Sequence, residues 1–532
     1  MKRPTPKWLS TAIFYEIYPQ SFRDSDGDGI GDLPGIIEKL DYIADLGCTA
    51  IWLNPCFVSP FGDAGYDVAD FYRVAPRYGT NDDLVRLFRE ARARGIRVCL
   101  DFVAGHTSID HPWFRESCRH EPNRYSNWYI WTRSIWDKGD PQKPMVHGHA
   151  ERDGNYLANF FYFQPALNYG YARPEHPWQL PVDHPDVLAV RQEMKNILRY
   201  WLDLGADGFR VDMAMSLVKN DPDLKETMRL WRDVREMFDR EYPHAALMSE
   251  WSDPEKAIPA GFHVDFMLAF GDPPAYTSLL RKEPGRDLNP VADPASHSYF
   301  DRCGQGDIRE FMVPYLKHYE ATKDHGFITI PTGNHDVPRL AKGRTEQEIL
   351  IVFAFVMTMP GIPFIYYGDE IGMRHIDGLP SKEGGYSRTG ARTPMQWDDG
   401  VNLGFSSASP EDLYLPVDAS PGAPTVLSQG QKLLSRVKSL VQLRRSWRAL
   451  GNGGAFRVLT SEGYPVVYQR GKGADTFVII INPADECQPS TFLLPQVGAL
   501  QQIHGDHIDV LADRDRYSVV MPPVSYGVFK VT

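Results

Sequence analysis

The chain has 532 residues, 42% of them hydrophobic and 24% charged. That balance excludes a disordered or low-complexity protein, and the length suits two or three domains, one of which could be a (β/α)8 barrel. Lys and Arg total 57 against 69 Asp and Glu, a net charge of −12, which argues against nucleic acid or an anionic membrane face as the main partner.

Strand and helix alternate along most of the chain. Ala12–Pro19 reads as a strand and Leu33–Leu46 as a helix. Ala50–Pro55 is a strand, Asn81–Arg94 a helix opened by an Asn/Asp cap, and Arg97–Val103 a third strand. From residue 104 to 183 the rhythm fails. This stretch, rich in Trp, Tyr, His, Pro and Gly, is too long for a loop and reads as an inserted subdomain whose aromatics suit a pocket wall as well as a core. A helix over Asp186–Leu204 restores the rhythm. Strands follow at Gly208–Asp212, Ala245–Glu250, Val264–Phe270 and Phe327–Pro331, with helices over Leu224–Arg240 and Ile308–Thr322. Glu346–Met359 and Ile362–Tyr367 form a last helix–strand pair, and Lys432–Arg445 a closing helix.

Ile349 to Gly368 carries no charge and imitates a membrane span, but Pro360, Gly361 and Pro363 break it into helix, turn and buried strand. Eight strands is the number that closes a parallel barrel. An open doubly wound sheet is the alternative, although no GxGxxG follows the first strand. After Gly451 short alternating segments replace the long helices: Val466–Gln469, Thr476–Ile481, Thr491–Leu494, Tyr517–Met521 and Tyr526–Val531. The expected architecture is a (β/α)8 TIM barrel over 1–103 and 184–450, an inserted subdomain over 104–183 after strand 3, and a C-terminal antiparallel β-sandwich over 451–532. The six cysteines show neither a CxxC nor a metal spacing, and Pro4 and Pro6 stand where an apolar signal core would run. These features predict a cytoplasmic protein with free thiols. The sequence fixes no oligomeric state.

Barrel enzymes carry their chemistry where strands end. Three predicted strands lead into acids: GFRVD ends at Asp212, LMSE at Glu250, and FITIPTGNHD at Asp336. A carboxylate at an apolar strand end costs stability unless it is paired or useful. Glycoside cleavage needs two such acids, one protonated and one ionised. One helix fits between Asp212 and Glu250, which places them on successive strands, close enough for a retaining pair.

With GFRVD (208–212), SEW (249–251), NHD (334–336) and ARTPMQW (391–397) in this order, the chain resembles the α-amylase superfamily of retaining glycoside hydrolases and transglycosidases. Within it, the nearest resemblance is to the oligo-1,6-glucosidase, α-glucosidase and trehalose synthase branch. The resemblance runs from Phe14 into the C-terminal domain. It implies that Asp212 is the nucleophile, Glu250 the general acid/base and Asp336 the third acid, which holds substrate hydroxyls. Arg210, on the strand face of Asp212, would keep the nucleophile ionised, and acidic neighbours with partial burial should raise Glu250. His106 and His335 are implied to hydrogen-bond the bound sugar, Tyr66 to stack on it, and Asp67 to grip it with Arg392 as partner. An Asp–Arg pair closing the pocket would admit only a terminal glucose, and so a small α-glucoside substrate rather than starch.

The segment Asp24 to Asp32 (DSDGDGIGD) spaces oxygens for a hard cation but lacks the twelfth-position acid of an EF-hand, where Gly35 stands. It matches a single-loop structural Ca2+ site of this branch, with Asp24, Asp26, Asp28, the Ile30 carbonyl and Asp32 as ligands. Two departures bear on the pocket. Gly105 replaces an Asn before His106, which puts a second calcium site in doubt, and Ala166 replaces the Asp of a QPDLN motif. Met213, after the nucleophile, is neither of the residues that usually guide linkage. The expected reaction is hydrolysis by an α-glucosidase. A trehalose-synthase-like isomerase is the alternative, because Phe405-Ser406 and Leu413–Pro416 look like the corresponding stretch of those enzymes. Non-catalytic transporter partners within the superfamily lack the acids that this chain keeps.

Overall fold

The computed structural model describes residues 4–532 other than 142, 272–273, 282–296, 385–387 and 495–497. Eight parallel strands close a barrel: β1 (Phe14–Ile17), β2 (Ala50–Leu53), β3 (Arg97–Phe102), β4 (Gly208–Val211), β5 (Ala246–Ser249), β6 (Val264–Phe266), β7 (Phe327–Pro331) and β8 (Ile362–Tyr366). They follow one another around the barrel in chain order, and β8 pairs back onto β1. Every strand residue except Arg97 and Phe327 is buried. Helices cover the outer face while the inner face packs on itself, which is why these strands read as unbroken apolar runs.

Side-chain alternation divides the interior into layers. Phe14, Ala50, Trp52, Cys99, Ala246, Met248, Val264, Phe266, Ile362 and Phe364 form one apolar plug, with Phe14 and Phe364 stacked at 4.3 Å. Continuing each inward series by two residues gives Glu16, Asn54, Asp101 and Glu250, while on β4 it runs Gly208, Arg210, Asp212. A charged layer therefore sits on the apolar plug at the C-terminal end of the strands. Gly208 is required for this: its φ is +153°, and a Cβ would stand 2.3 Å from the Ala246 carbonyl oxygen. A larger residue would push β4 away from β5 and move Arg210 and Asp212 with it.

The expected helices lie at Pro185–Asp203, Lys225–Glu241, Arg309–Thr322, Glu346–Thr358 and Leu433–Ser446. Two details differ. The expected Leu33–Leu46 helix is two, Leu33–Glu38 and Leu40–Leu46, broken at Lys39 with ψ near 6°. The Asn81–Ala93 helix is capped one residue earlier, by Thr80, whose side chain and that of Asp83 each accept the other's backbone N–H. Two short helices, Pro254–Ala260 and Ala275–Leu280, gave no sequence signal. The uncharged run after Ile349 is helix, turn and β8, and among the described residues no helix is long and apolar enough to cross a membrane.

Between β3 and β4 the inserted chain holds the helix Pro112–Ser117 and a small hairpin, Met145–His147 with Asn155–Leu157. Most of its aromatics are core: Phe114 packs its ring against Tyr129, Trp131 and Tyr156. Phe160 and Tyr162 remain exposed, at 53% and 63%.

Beyond the barrel lie β9 (Phe456–Thr460), β10 (Val466–Arg470), β11 (Phe477–Asn482), β12 (Gln488–Leu493), β13 (Leu500–Gly505), β14 (Val510–Asp513), β15 (Arg516–Met521) and β16 (Ser525–Val531). They form antiparallel sheets of order β9-β10-β11-β16-β13 and β12-β15-β14, sharing a core that includes Val467, Ile480, Phe492, Tyr517 and Phe529. β9, β13 and β14 were not expected. They are half exposed throughout and lack a clean apolar alternation.

Candidate active site

Arg210 is the centre of the charged layer. The register sets it opposite Asp101 on β3 and Met248 on β5. Its Nη1 donates to Asp101 at 3.0 Å and Asp212 at 3.1 Å, and its Nη2 lies 2.7 Å from Glu250. Asp101 is further fixed by Tyr66 Oη at 3.0 Å and Trp52 Nε1 at 3.1 Å. Met213 adopts a left-handed conformation, φ 42° and ψ 47°, uncommon for a side chain of its size. This bend turns its N–H onto Glu250 Oε2 at 2.9 Å. The residue after Asp212 thus orients Glu250.

One cation among three buried acids leaves the acids competing for it. Burial pushes Glu250 up to about 8, the Arg210 cation opposing it and the Asp212 charge adding to it. Burial pushes Asp212 up to about 6 against the pull of Arg210. Arg210 therefore limits the rise of Asp212 rather than depressing it outright. At neutral pH Glu250 holds a proton and Asp212 does not. The two carboxyls share one guanidinium, Asp212 through Nη1 and Glu250 through Nη2, which draws them to the same end of the cavity.

A second cluster faces them across a cavity of about 160 Å3 lined by Asp212, Glu250, Asp336, Tyr66, Asp63 and Arg388, among others. Arg388 bridges Asp336 at 2.6 Å and Asp63 at 2.7 Å. Arg392 bridges Asp336 at 3.0 Å and buried Glu383 at 2.7 Å, and donates from Nε to the His335 carbonyl. Burial opposes ionisation of Asp336, but His335, Arg388 and Arg392 hold its carboxyl far below the usual range. His335 stacks on Tyr66 at 5.2 Å, contacts Glu16 through Nδ1 at 2.9 Å, and burial lowers it to about 3, so that it stays neutral.

This arrangement corrects the expected Asp67–Arg392 pair. Asp67 is fully buried, and its carboxylate accepts from Ser59 Oγ, Gly62 N and Asp63 N. It ties a loop in which Phe61 and Ala64 have φ of 61° and 55°. That loop presents Asp63 to the cavity, where Gln164 Nε2 donates to it at 2.9 Å. The aspartate–arginine pair at the cavity is Asp63–Arg388, each four residues before the expected partner. Asp101, Asp63, Arg388 and Glu383 were missed. Only Asp101 had a readable signal, as an inward-phase acid on a predicted strand.

His106 lines the cavity, but both ring nitrogens are engaged by protein: Nε2 with the Tyr66 carbonyl at 3.0 Å and Nδ1 with Asn159 Nδ2 at 3.0 Å. Asn159, from the insert, also lines the cavity. It reaches His106 because residue 105 is glycine: a Cβ there would stand 2.8 Å from Asn159 Nδ2. The missing amide of residue 105 is thus replaced by one from another segment. Ala166 is fully buried in an apolar cluster with Ile130, Leu157, Tyr171 and Trp178.

In the Asp24–Asp32 loop, the carboxylates of Asp24, Asp26 and Asp28 offer oxygens within 4.8 Å of one another. Asp24 also accepts from Gly27 N at 2.7 Å and Gly29 N at 2.8 Å. Asp32 is not in this group: its carboxylate accepts from Ser25 N and Oγ, and from Gly35 N as the cap of the next helix. Ser406 Oγ donates to Asp24, and Tyr414 N to the Gly29 carbonyl. The 405–416 stretch that looked like that of trehalose synthases therefore packs on this loop.

Comparison with known proteins gives a consistent result. The family model "Alpha amylase, catalytic domain" matches residues 16–266 and 287–453. The trehalose synthase/amylase TreS of Mycolicibacterium smegmatis is 34% identical over 85% of this chain and 78% of its own. The oligo-1,6-glucosidase of Parageobacillus thermoglucosidasius is 30% identical over 89% of this chain and 90% of its own. The crystal structure of trehalulose synthase MutB from Pseudomonas mesoacidophila superposes with a TM-score of 0.81 at 25% identity, covering 99% of this chain and all of that one.

Proposed function

The chain belongs to the α-amylase catalytic-domain family, and on that premise we propose that it is a retaining enzyme acting on the terminal, non-reducing glucose of small α-glucosides. The observation that carries the reading is the Arg210 guanidinium shared by Asp212 and Glu250, with burial raising Glu250 further than Asp212. Glu250 donates its proton to the glycosidic oxygen while Asp212 Oδ attacks the anomeric carbon, giving a glycosyl ester. Glu250, now ionised, takes a proton from the acceptor hydroxyl as that oxygen displaces Asp212. Asp336, held ionised, accepts from sugar hydroxyls and supports the positive charge that develops on the ring. Asp63 and Arg388 would bind the hydroxyls at the closed end of the glucose. His106 and Asn159, side by side on the cavity wall, would both contact the sugar.

Water as acceptor gives an α-glucosidase, the leading reading. The likeness to TreS supports a second, in which the released sugar returns through a different hydroxyl. Incubation with maltose, trehalose, isomaltose and sucrose, with products identified by NMR, separates them. Glucose release is expected, and interconversion of maltose and trehalose would overturn hydrolysis.

The Asp24–Asp32 loop would hold one structural Ca2+ through Asp24, Asp26, Asp28 and the Ile30 carbonyl, and through Asp32 if its carboxylate turns inward. Protein purified without chelator should carry about one ion per chain, and its absence would remove the assignment. None of the six cysteines, three of them buried, forms a disulfide, which suits a reducing compartment such as the cytoplasm.

A further inference from the structure

In the chain segment between the helices Ala275–Leu280 and Arg309–Thr322, outside the residues that line the cavity, three side chains of different chemistry converge. His297 Nδ1 lies 3.1 Å from Asp301 Oδ2 and 3.2 Å from Cys303 Sγ. One donor atom from each residue lies within 4.8 Å of the other two. Neither glucoside binding nor glycosyl transfer uses any of them. We propose that His297, Asp301 and Cys303 form a three-ligand site for a borderline-soft divalent cation of the zinc class, with a fourth corner open to water.

The donor set excludes the cation proposed for the Asp24 loop. Calcium and magnesium take oxygen ligands almost exclusively, whereas imidazole, thiolate and carboxylate together suit zinc. The spacing fits as well. Zinc holds nitrogen and oxygen at about 2.0–2.2 Å and sulfur at about 2.3 Å, so the edges of a tetrahedron around it run about 3.3–3.6 Å. The observed separations of 3.1 and 3.2 Å are a few tenths of an ångström from that geometry. Binding would replace the thiol proton by the metal and release it to solvent.

The backbone presents the three groups on an anchored turn. Tyr299 and Phe300, between the ligands, are buried, and the Tyr299 ring stacks on Tyr464 at 4.6 Å. Tyr464 Oη donates to the Tyr299 carbonyl and accepts from Gly306 N, and Asp485 N donates to the Arg302 carbonyl. Cys303 N donates to Asp301 Oδ1 at 3.0 Å, which aims Oδ2 at the imidazole. Cys303 is exposed, while His297 and Asp301 keep 24% and 19% of their side chains accessible, leaving an entry path. A bound metal would fasten this turn of the barrel where it meets the C-terminal domain.

The test is titration of the full chain, first treated with chelator, with Co2+ and then Zn2+. One Co2+ per chain should bind with a thiolate-to-cobalt charge-transfer band and intense visible bands of tetrahedral cobalt, and Zn2+ should displace it. Cobalt in the all-oxygen Asp24 loop would give no charge-transfer band. Cys303→Ser should abolish that band and His297→Ala should weaken binding by roughly tenfold or more. Cys487→Ser, at the other exposed cysteine, should change neither, and glucoside turnover should stay normal in all three. Independently of any variant, Zn2+ should slow alkylation of Cys303, mapped by mass spectrometry, and leave Cys487 unprotected. The site is refuted by a titration with no charge-transfer band, by a band that survives Cys303→Ser, or by equal protection of both cysteines.

Discussion

The two walls of the cavity are built from the same groups in different ratios, and their protons settle differently. On the Arg210 wall one guanidinium serves Asp101, Asp212 and Glu250. On the opposite wall two, Arg388 and Arg392, serve Asp63, Asp336 and Glu383. Desolvation disfavours the charged forms of Asp101, Asp212, Glu250, Asp336 and Glu383, so the outcome depends on how much positive charge offsets it. Where cations are scarce, Glu250 rises to about 8 and can deliver a proton. Where they are sufficient, Asp336 stays ionised at every working pH and can only accept. Acid/base chemistry and substrate grip are thus separated by the cation count and not by residue type.

The largest expected effect breaks the first wall. Asp212→Ala should reduce kcat by about 10⁴-fold or more with the fold intact by circular dichroism. Near-normal turnover would remove the nucleophile. Next comes the pH profile of kcat/KM. Activity needs Asp212 ionised, so it should fall as pH drops through about 6, and Glu250 protonated, so it should fall as pH rises through about 8. These limbs belong to the coupled pair. Glu250→Gln should lower turnover by roughly 10²–10⁴-fold and erase the alkaline limb. A profile flat to pH 10 in the unmodified enzyme would contradict the charge ratio as its origin.

Arg388→Ala addresses the second wall. KM for disaccharides should rise roughly 10- to 100-fold through loss of the charge-assisted grip of Asp63. The acid limb should stay in place, because Arg392 still faces Asp336. A shifted acid limb would show that the two walls titrate as one. The smallest effect is expected at Asn159→Ala, a few-fold to about tenfold rise in KM with kcat retained. Gly105→Ala should do the same, since its Cβ takes the place of the Asn159 amide. Unchanged binding in both would assign Asn159 to holding the insert alone.

Not all of this could be read without coordinates. The eight strands and the acids that follow them were legible because a strand fixes the direction of every second side chain. By the same logic Asp101 could have been found, two residues beyond Cys99 on the inward face of β3. The pair Asp63–Arg388 could not. Between residues 59 and 67 the chain reverses through positive φ at Phe61 and Ala64, so spacing no longer tells which aspartate faces the cavity. The hydrogen bonding of His106 was hidden for another reason: its partner Asn159 comes from a different segment and reaches it only over a glycine.

The sequence by itself determined the barrel, the order of its strands and the three acids at their ends, because burial on both faces and side-chain alternation are local properties that a linear pattern records. The tertiary structure decided which aspartate and arginine close the pocket and which amide holds His106. It also decided that one guanidinium serves Asp101, Asp212 and Glu250 while two surround Asp336. Those outcomes depend on distances between separate segments, 325 positions apart for Asp63 and Arg388 and 53 for His106 and Asn159, and the electrostatics of a buried charge depends on what surrounds it in space.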